Sequence, residues 1–361
     1  LRDPTAMSNP FYRSVPGWAL WPMVAIATAA AIVASQALIS GAYSLTNQAI
    51  QLGYAPRLAV RHTSSTEFGQ IYIPAVNWAL AAGTIALVLG FGSADRLAAA
   101  YGIAVTGTMT ITTLLFHRVA RDRWKWSRWV TWPLTTAFLV VDVAFLSANA
   151  FKIEEGGWFP LVAGAIIFTL LSTWKKGRGV MAQQMAGGSL PLGLFLPDLE
   201  KHPPHRIPGT AVFMTSNPDG TPGVLLHHLK HNKVLHERVL LVSILTEEVP
   251  FVPEPERVVV RSLGNGIHQI IARYGFMETP NVPGLLASLP PFAIPGPRLE
   301  NAVMETTYYL GRETLIPDGA TPMARWRKRL FIVLARNASP ASAYFGLPPN
   351  RVVEMGAQVQ F

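Results

Sequence analysis

The stretch ASQALISGAYSLTNQAIQLGY, residues 34–54, decides the fold, because it is the polar second half of a long uncharged segment. This segment opens at Trp18 and carries no charged residue before Arg57. About 20 consecutive apolar residues are enough to cross the hydrocarbon of a bilayer, so the segment predicts a membrane-spanning helix. The chain is therefore built around a membrane span that turns polar in its second half.

The polar residues of this stretch recur at intervals of three or four and so share one helix face: Gln36, Ser40, Tyr43 or Ser44, and Asn47. Lipid does not solvate such a polar stripe, so it must face other helices or a water-filled path. One interpretation is polar contact between helices, with Gly41 allowing close approach. The other is the wall of a cation pathway, because hydroxyl and amide oxygens can replace water around a cation. The second interpretation makes Gln36, Ser40, Tyr43 and Ser44 candidate pathway residues.

Four more apolar runs follow, at about Ile71–Phe91, Leu97–Phe116, Trp129–Ala150 and Phe159–Trp174. The third span is rich in small and hydroxyl residues, which fits either close helix packing or an ion path. Thr106 lies on its hydroxyl face and Tyr101 lies about one turn inside, so both are further pathway candidates. Tyr101 also fits the belt of aromatic residues at a membrane interface.

Asp142 lies well inside the fourth span. Ionisable residues within a membrane are costly and usually functional, so Asp142 is a candidate intramembrane acid. The competing interpretation is a structural partner of serine hydroxyls or backbone donors.

Lysine and arginine are unevenly distributed between the loops of the five spans. Loops on one side hold ten basic residues: Arg57, Arg61, Arg118, Arg121, Arg123, Lys125, Arg128, Lys175, Lys176 and Arg178. The other side holds four: Arg2, Arg13, Arg96 and Lys152. The positive-inside rule places the first side in the cytoplasm, and with it everything after Arg178.

The sequence after the fifth span changes to short strands and helices with many prolines. We predict a membrane region of five helices at 1–178, a linker at 179–208 and a cytoplasmic α/β domain at 209–361. An apolar patch in the linker, Leu190–Leu199, could lie on the membrane or dock on the domain. Arg238–Leu245 is a nearly continuous apolar strand, and Gly264-Asn265-Gly266 indicates a hairpin. The fold class is thus an α-helical membrane protein followed by a small mixed α/β domain.

Composition narrows the chemistry of the 361 residues. The chain has no cysteine, which excludes disulfides and cysteine metal sites. Its formal charge of +9 is explained by the basic loops, so we expect a lipid bilayer and no nucleic acid as partner. His227 and His231 are four apart, but a solvated helix face is the better interpretation. No nucleophile–base pair stands out, so we expect no enzyme, no cofactor and no resident metal.

The basic run Arg325, Arg327, Lys328 and Arg329 lies on an amphipathic helix and is interpreted as a solvated face near anionic lipid. Leu1 is not an initiator methionine, so the chain is expected to be the carboxy-terminal part of a longer protein.

Several long motifs, in order along the whole chain, resemble the Kup potassium uptake permeases, the KUP/HAK/KT family. In the membrane region they are VASQALISGAYSL, QAIQLGYAPR, GQIYIPAVNW and AAAYGIAVTGTM. In the soluble region they are LKHNKVLHERV, ARYGFMETP, LGRETLIP and LPPNRVVEMGAQV.

This resemblance implies potassium uptake across the bacterial inner membrane, as a potassium:proton symporter with potassium and protons as partners. It implies twelve spans in an inverted-repeat, amino-acid-permease type of architecture, of which these are the last five. In that architecture the eighth helix lines a cation site and the tenth helps to gate it, which favours the polar stripe and Tyr101. The first helix of the family, with its glycine and aspartate, is absent here, so any site in this chain is partial. A homodimer through the cytoplasmic domain is a further expectation.

Two other functions fit the pattern. One is a membrane sensor whose cytoplasmic domain binds a ligand, and the other is an amino-acid or polyamine permease. Hydroxyl-bearing helices without a charged substrate clamp favour a small cation.

Overall fold

The computed structural model describes residues 10–62, 71–187, 190–290, 293–295, 305–316 and 321–361. The chain divides into two compact units. Unit 1 comprises Leu1–Trp78, Ala182–Ala320 and Ala335–Phe361. Unit 2 comprises Ala79–Met181 and Thr321–Leu334.

Five helices among the described residues are long and apolar enough to cross a membrane, which confirms the predicted number of spans. They are α2 (Leu20–Gln51), α3 (Pro74–Phe91), α4 (Ala94–Asp122), α5 (Arg128–Ala150) and α6 (Trp158–Gly187). A short helix α1 (Pro10–Arg13) and a 3-10 turn (Gly17–Ala19) precede them. The two-residue strands β1 (Arg61–His62) and β2 (Ile71–Tyr72) pair antiparallel between α2 and α3.

Local sequence explains where the first span ends. Gly53 adopts a left-handed conformation with φ of 72°, and the amide of Tyr54 donates back to the carbonyl of Ala49 at 2.7 Å. A glycine just past the last helical turn is the usual helix-terminating residue, because it has no Cβ to clash. The helix therefore ends before the first charged residue, Arg57.

A π-helical turn (Ile153–Gly157) joins α5 and α6 within unit 2. Gly156 has φ of 149° there, and a Cβ at this position would lie 2.6 Å from Phe91 and 2.7 Å from the carbonyl of Arg96. Only glycine allows this close approach of the turn to the end of α3 and the start of α4.

The fifth span continues as a helix well past its predicted end at Trp174. Helix α6 runs to Gly187, because the basic residues after Trp174 end the apolar pattern without breaking the helix. Helix α7 (Leu192–Lys201) follows in the predicted linker. Phe195 and Leu199 of α7 are buried in the core of the α/β domain, so the apolar patch docks on the domain. The boundaries at 178 and 208 remain predictions.

The predicted mixed α/β domain is confirmed as a six-stranded sheet. Its strands are β3 (His205–Thr215), β4 (Val234–Glu247), β5 (Val258–Gly264), β6 (Ile267–Gly275), β7 (Thr306–Ile316) and β8 (Val352–Gln360). The order across the sheet is β5-β6-β4-β3-β7-β8, and every pair is parallel except β5 with β6. The five parallel strands follow the order of a doubly wound fold. Gly264-Asn265-Gly266 forms the predicted hairpin, with positive φ at all three residues.

The domain core lies on both faces of this sheet. Ala211 and Phe213 of β3 belong to one apolar cluster, and Val212 between them belongs to another. Alternate side chains of a strand point to opposite faces, so β3 is covered on both. The helices of this part are α8 (Gly223–Asn232), α9 (Glu254–Arg257), α10 (Val282–Ser288) and α12 (Ala341–Tyr344), with a 3-10 turn at Pro349–Arg351.

Helix α11 (Arg325–Arg336) lies mostly in unit 2, where it packs on α6. Arg327 donates from Nε to Thr173 at 2.9 Å and from Nη2 to Ser172 at 3.0 Å. Phe331 is buried and its ring lies 5.3 Å from that of Trp174. The interpretation of the basic run as a solvated face is therefore wrong for Arg327, which anchors the helix.

Candidate cation pathway

Tyr43 is the one residue of the predicted α2 stripe that is buried among the described residues. Its hydroxyl donates to Oδ1 of Asn77 on α3 at 2.9 Å, and its ring meets that of Tyr72 edge-on at 5.8 Å. Because the hydroxyl proton is used by Asn77, the lone pairs of the Tyr43 oxygen are left to accept a donor or a cation. This contact supplies a fixed oxygen within unit 1.

Gln36, Ser40 and Ser44 lie on α2 at the predicted helical spacing, and their side chains are more exposed than that of Tyr43. Gln36 and Ser40 are exposed and Ser44 is half-buried. Their face of α2 is thus available to other parts of a membrane assembly or to an aqueous path.

Asn77 was not among the predicted pathway residues, although its position was informative. It is a polar residue one turn inside an apolar span that begins at Pro74. The sequence could not show that it meets Tyr43, because 34 residues separate the two.

Thr106 in unit 2 has its hydroxyl tied to its own helix. The side chain is 7% exposed, and its hydroxyl donates to the carbonyl of Gly102 at 2.8 Å. Thr110 repeats the pattern by donating to the carbonyl of Thr106 at 3.0 Å. Such bonds to the preceding turn satisfy a hydroxyl inside an apolar helix. A pathway role for Thr106 stays a prediction.

Tyr101 and Asp142, chosen separately from the sequence, line the same open groove of about 480 Å³ on α4 and α5. The remaining lining comes from α4: Ala104, Val105, Thr108, Met109, Thr112 and Thr113. Tyr101 is 71% exposed, whereas Asp142 is 5% exposed at the base of the groove. The structure thus brings these two predicted residues together, and Thr106 does not line the groove.

Asp142 accepts a hydrogen bond from the hydroxyl of Thr113 on α4, at 2.5 Å between Oγ1 and Oδ2. A carboxylate inside an apolar span needs such a donor, because burial without one is costly. The expected structural partner was serine or the backbone, whereas the observed partner is a threonine of the neighbouring helix. Its role as a functional acid remains a prediction.

A second polar contact joins the same two helices. Nδ1 of His117 on α4 lies 3.1 Å from Oγ1 of Thr135 on α5, and Thr135 is 4% exposed. Sequence reasoning did not single out either residue. The signal was the seven-residue spacing of Thr135 and Asp142, which places both on one face of α5.

The α/β domain contains buried histidines that also escaped prediction. His228 on α8 and His236 on β4 are 2% and 7% exposed, and their rings lie 6.1 Å apart. Burial lowers the pKa of His228, and burial together with the charge of His228 lowers the pKa of His236. His227 and His231 stack at 6.1 Å instead. Among the described residues, no group of three or more histidine or acidic side chains is placed to hold a metal.

Comparison with known proteins decides the family. Residues 1–179 match the family described as "K+ potassium transporter integral membrane domain", and residues 208–361 match "K+ potassium transporter C-terminal domain". The chain belongs to the K+ potassium transporter family. The predicted resemblance is therefore confirmed, and since this is a family of transporters, so is the expectation of no enzyme.

Curated relatives agree with this assignment. The chain is 69% identical over 360 residues to the "Probable potassium transport system protein Kup" of Anaeromyxobacter sp. (strain Fw109-5). It is 53% identical over 360 residues to the protein of that name in Myxococcus xanthus (strain DK1622), and 52% over 361 residues in Thiobacillus denitrificans (strain ATCC 25259 / T1). All of this chain is covered in each, against 54%, 54% and 57% of the relative. The chain spans about half the length of the curated relatives it matches.

Proposed function

We propose that this chain forms part of a potassium uptake protein of the bacterial inner membrane that moves protons together with potassium. The observation that carries the proposal is the α2 stripe with its fixed member, the Tyr43 oxygen held by Asn77 at 2.9 Å. A potassium ion exchanges its water for several neutral oxygens, and a hydroxyl whose proton is already donated presents lone pairs. Membership of a potassium transporter family supports the same ion.

In this proposal the candidate ligands of the α2 face are Gln36, Ser40, Tyr43 and Ser44, and Tyr101 and Thr106 stay separate pathway candidates within unit 2. Inverted-repeat transporters complete such a site with carbonyls of broken helices. Helix α2 is continuous from Leu20 to Gln51, so its own backbone carbonyls are engaged within the helix and the carbonyl ligands come from outside α2. A neutral site also disfavours amino acids and polyamines, which need charged partners.

The proposal includes an orientation. The ten basic residues counted above lie in the cytoplasm, and the α/β domain lies there with them. The domain modulates transport and does not perform it, and the homodimer through this domain is part of the same proposal.

The test is Ser40→Leu in the full-length protein, expressed in cells that lack potassium uptake. We expect potassium-dependent growth and uptake to be lost while membrane insertion is retained, because a bulky apolar side chain blocks a path yet suits a membrane helix. Ala31→Leu is the matched control, since Ala31 is an exposed position of the same helix on the face opposite the stripe. Normal uptake by a correctly inserted Ser40→Leu protein would refute the pathway.

A further inference from the structure

Three polar side chains of α5 lie along its contact with α4 in unit 2: Thr135, Asp142 and Asn149, each seven residues from the next. The Asn149 amide donates to the carbonyl of Phe145 in its own helix. Thr135 meets His117 and Asp142 meets Thr113. Asn149 lies against Gly102, where a Cβ on the glycine would collide with the Asn149 amide. Seven residues are two helical turns, so these groups form one polar seam between the helices.

The seam contains more than the hydroxyls and amides that suffice to hold two membrane helices together. Asp142 and His117 each bind and release a proton, and Thr113 and Thr135 carry hydroxyls that both donate and accept. Ionisable groups inside a membrane are expensive, and chains of aspartate and histidine mark proton relays. Asp142 is 5% exposed, and its carboxyl is costlier to bury than the hydroxyl or amide that would suffice for packing.

We propose that the α4–α5 seam is a proton route, in which Asp142 takes a proton from the groove and passes it to His117. This inference rests on the proposed proton-coupled uptake and assigns that coupling to particular residues. In the transfer the O–H bond of Asp142 breaks and an N–H bond forms on neutral His117. The carboxylate is then ready for the next proton, and the imidazolium releases its proton to water.

The positions of the groups agree with this direction. Tyr101, which lines the groove with Asp142, is seven residues from the start of α4, on the side that the charge count places outside. His117 lies five residues from the end of α4 at Asp122, next to the basic cytoplasmic loop. The route therefore leads from the outer half of the membrane to its cytoplasmic face.

The Asp142–Thr113 contact and the His117–Thr135 contact are too far apart for a direct hydrogen bond between Asp142 and His117. Thr113 and His117 are one turn apart on α4, a rise of about 6 Å, and Thr135 and Asp142 are two turns apart on α5, about 10 Å. A hydrogen bond spans about 3 Å, so the route needs one or two bridging water molecules between the contacts.

The other charged groups described below make contacts away from the seam. Beside the ring of His117 lie Thr135 and Trp132, the latter at 4.7 Å between ring centres. Arg118 pairs with Asp122 at 3.1 Å on an exposed face of α4. The π-helical turn, which also contacts α4 and α5, carries Glu154 and Glu155, and these line a different cavity with Arg96. Tyr101 is the other titratable group that lines the groove of Asp142.

The experiment uses the full-length protein in liposomes that contain a pH-sensitive dye, with an inward potassium gradient and simultaneous measurement of both ions. For Asp142→Asn we expect proton entry to fall by about 100-fold, the lower end of what a positioned proton-transfer group contributes. For His117→Gln, which keeps a polar contact to Thr135, we expect proton entry to slow and its dependence on internal pH to disappear.

Thr131→Val is the matched control. Thr131 is fully buried on α5, and its hydroxyl bonds to the carbonyl of Ser127 at 3.0 Å, outside the seam contacts. We expect its proton-to-potassium ratio to be unchanged. Asp142→Glu, which retains a carboxyl, should restore coupling and so separates the chemistry from a defect of folding.

The outcomes distinguish the inference from the proposed function. Potassium entry without protons in the wild-type protein would refute proton coupling itself. Coupled entry in the wild type that persists in Asp142→Asn would leave the function standing and overturn the route. If Thr131→Val loses as much coupling as Asp142→Asn, the seam serves only to pack the two helices together and the proposed route is wrong.

Discussion

The hydroxyl of Tyr344 donates a hydrogen bond of 2.5 Å to Oε1 of Gln51, the last residue of α2. The guanidinium of Arg57 lies 5.9 Å from the centre of the Tyr344 ring, and the amide of Ser339 donates to the carbonyl of Arg57 at 2.7 Å. Tyr344 is the last residue of α12, which precedes the final strand β8 of the α/β sheet in the chain. The domain is thus joined to the end of the helix that carries the polar stripe.

Tyr344→Phe removes this hydrogen bond and leaves the buried Gln51 amide without its donor. The expected cost is about 1–2 kcal/mol, so amide hydrogens at the α12 contact should exchange about 5–30-fold faster. Hydrogen exchange on the full-length protein measures this, with Tyr12→Phe at an exposed position as control. Potassium uptake should change in rate while ion binding is kept, and a loss of binding itself would contradict a modulating domain.

Tyr344 also predicts a response to alkali. Burial raises its pKa to about 12, although Arg57 and Gln51 act in the opposite direction. The unfolded chain loses this proton near pH 10, before the folded chain does, so the contact stabilises below pH 10 and is lost as the pH rises towards 12. Exchange at α12 should therefore accelerate above pH 10 in the wild type and less steeply in Tyr344→Phe.

Comparison of Tyr43→Phe with Asn77→Leu separates a cation ligand from a packing contact. Both variants break the 2.9 Å hydrogen bond, and each should cost about 1–2 kcal/mol of stability in detergent. Only Tyr43→Phe removes the proposed ligand oxygen, so its potassium affinity should fall further, by about 10-fold for each 1.4 kcal/mol of lost binding. Tyr72→Phe, which keeps the ring contact to Tyr43, is the control. Equal affinities in the two variants would make Tyr43 a packing residue.

Acid should destabilise the α/β domain through His228 and His236. Nδ1 of His236 is buried without a hydrogen-bond partner among the described residues. Burial lowers the pKa of both histidines, although a backbone hydrogen bond with Val234 acts in the opposite direction on His228. The unfolded chain binds protons near pH 6.5 and the folded chain only at lower pH, so stability falls as the pH drops below about 6.5. His228→Gln should reduce this slope by up to about 1.4 kcal/mol per pH unit. Exchange of β3 and β4 amides between pH 5 and 7.5 measures it, and an unchanged slope would be contrary to the expectation.

The five spans of this chain by themselves should not transport potassium. The stripe supplies hydroxyl and amide oxygens, but the backbone carbonyls of the continuous helix α2 are not free to bind the ion. The water molecules lost by the ion would therefore be only partly replaced by protein oxygens. Purified chain in liposomes under a potassium gradient should show no saturable flux. Saturable, potassium-selective flux would mean that the site is complete within these residues.

Local sequence predicted the elements well where a single stretch held all the information. Five apolar runs gave five membrane helices, and Gly264-Asn265-Gly266 gave the hairpin between β5 and β6. The fifth helix was predicted to end at Trp174 but continues to Gly187. The end of an apolar run marks the edge of the lipid, and a helix can continue beyond that edge. The apolar residues of α7 were recognised, but the sequence left open whether the membrane or the α/β domain covers them.

The sequence by itself determined the spans, the family and a polar face on α2, because burial in lipid and helical periodicity act over neighbouring residues. Only the tertiary structure decided which polar groups are paired. Tyr43 and Asn77 are 34 residues apart, Thr113 and Asp142 are 29 apart, and Tyr344 and Gln51 are 293 apart. A buried polar side chain must find a partner, but its partner is set by how whole helices and strands pack, which no local pattern records.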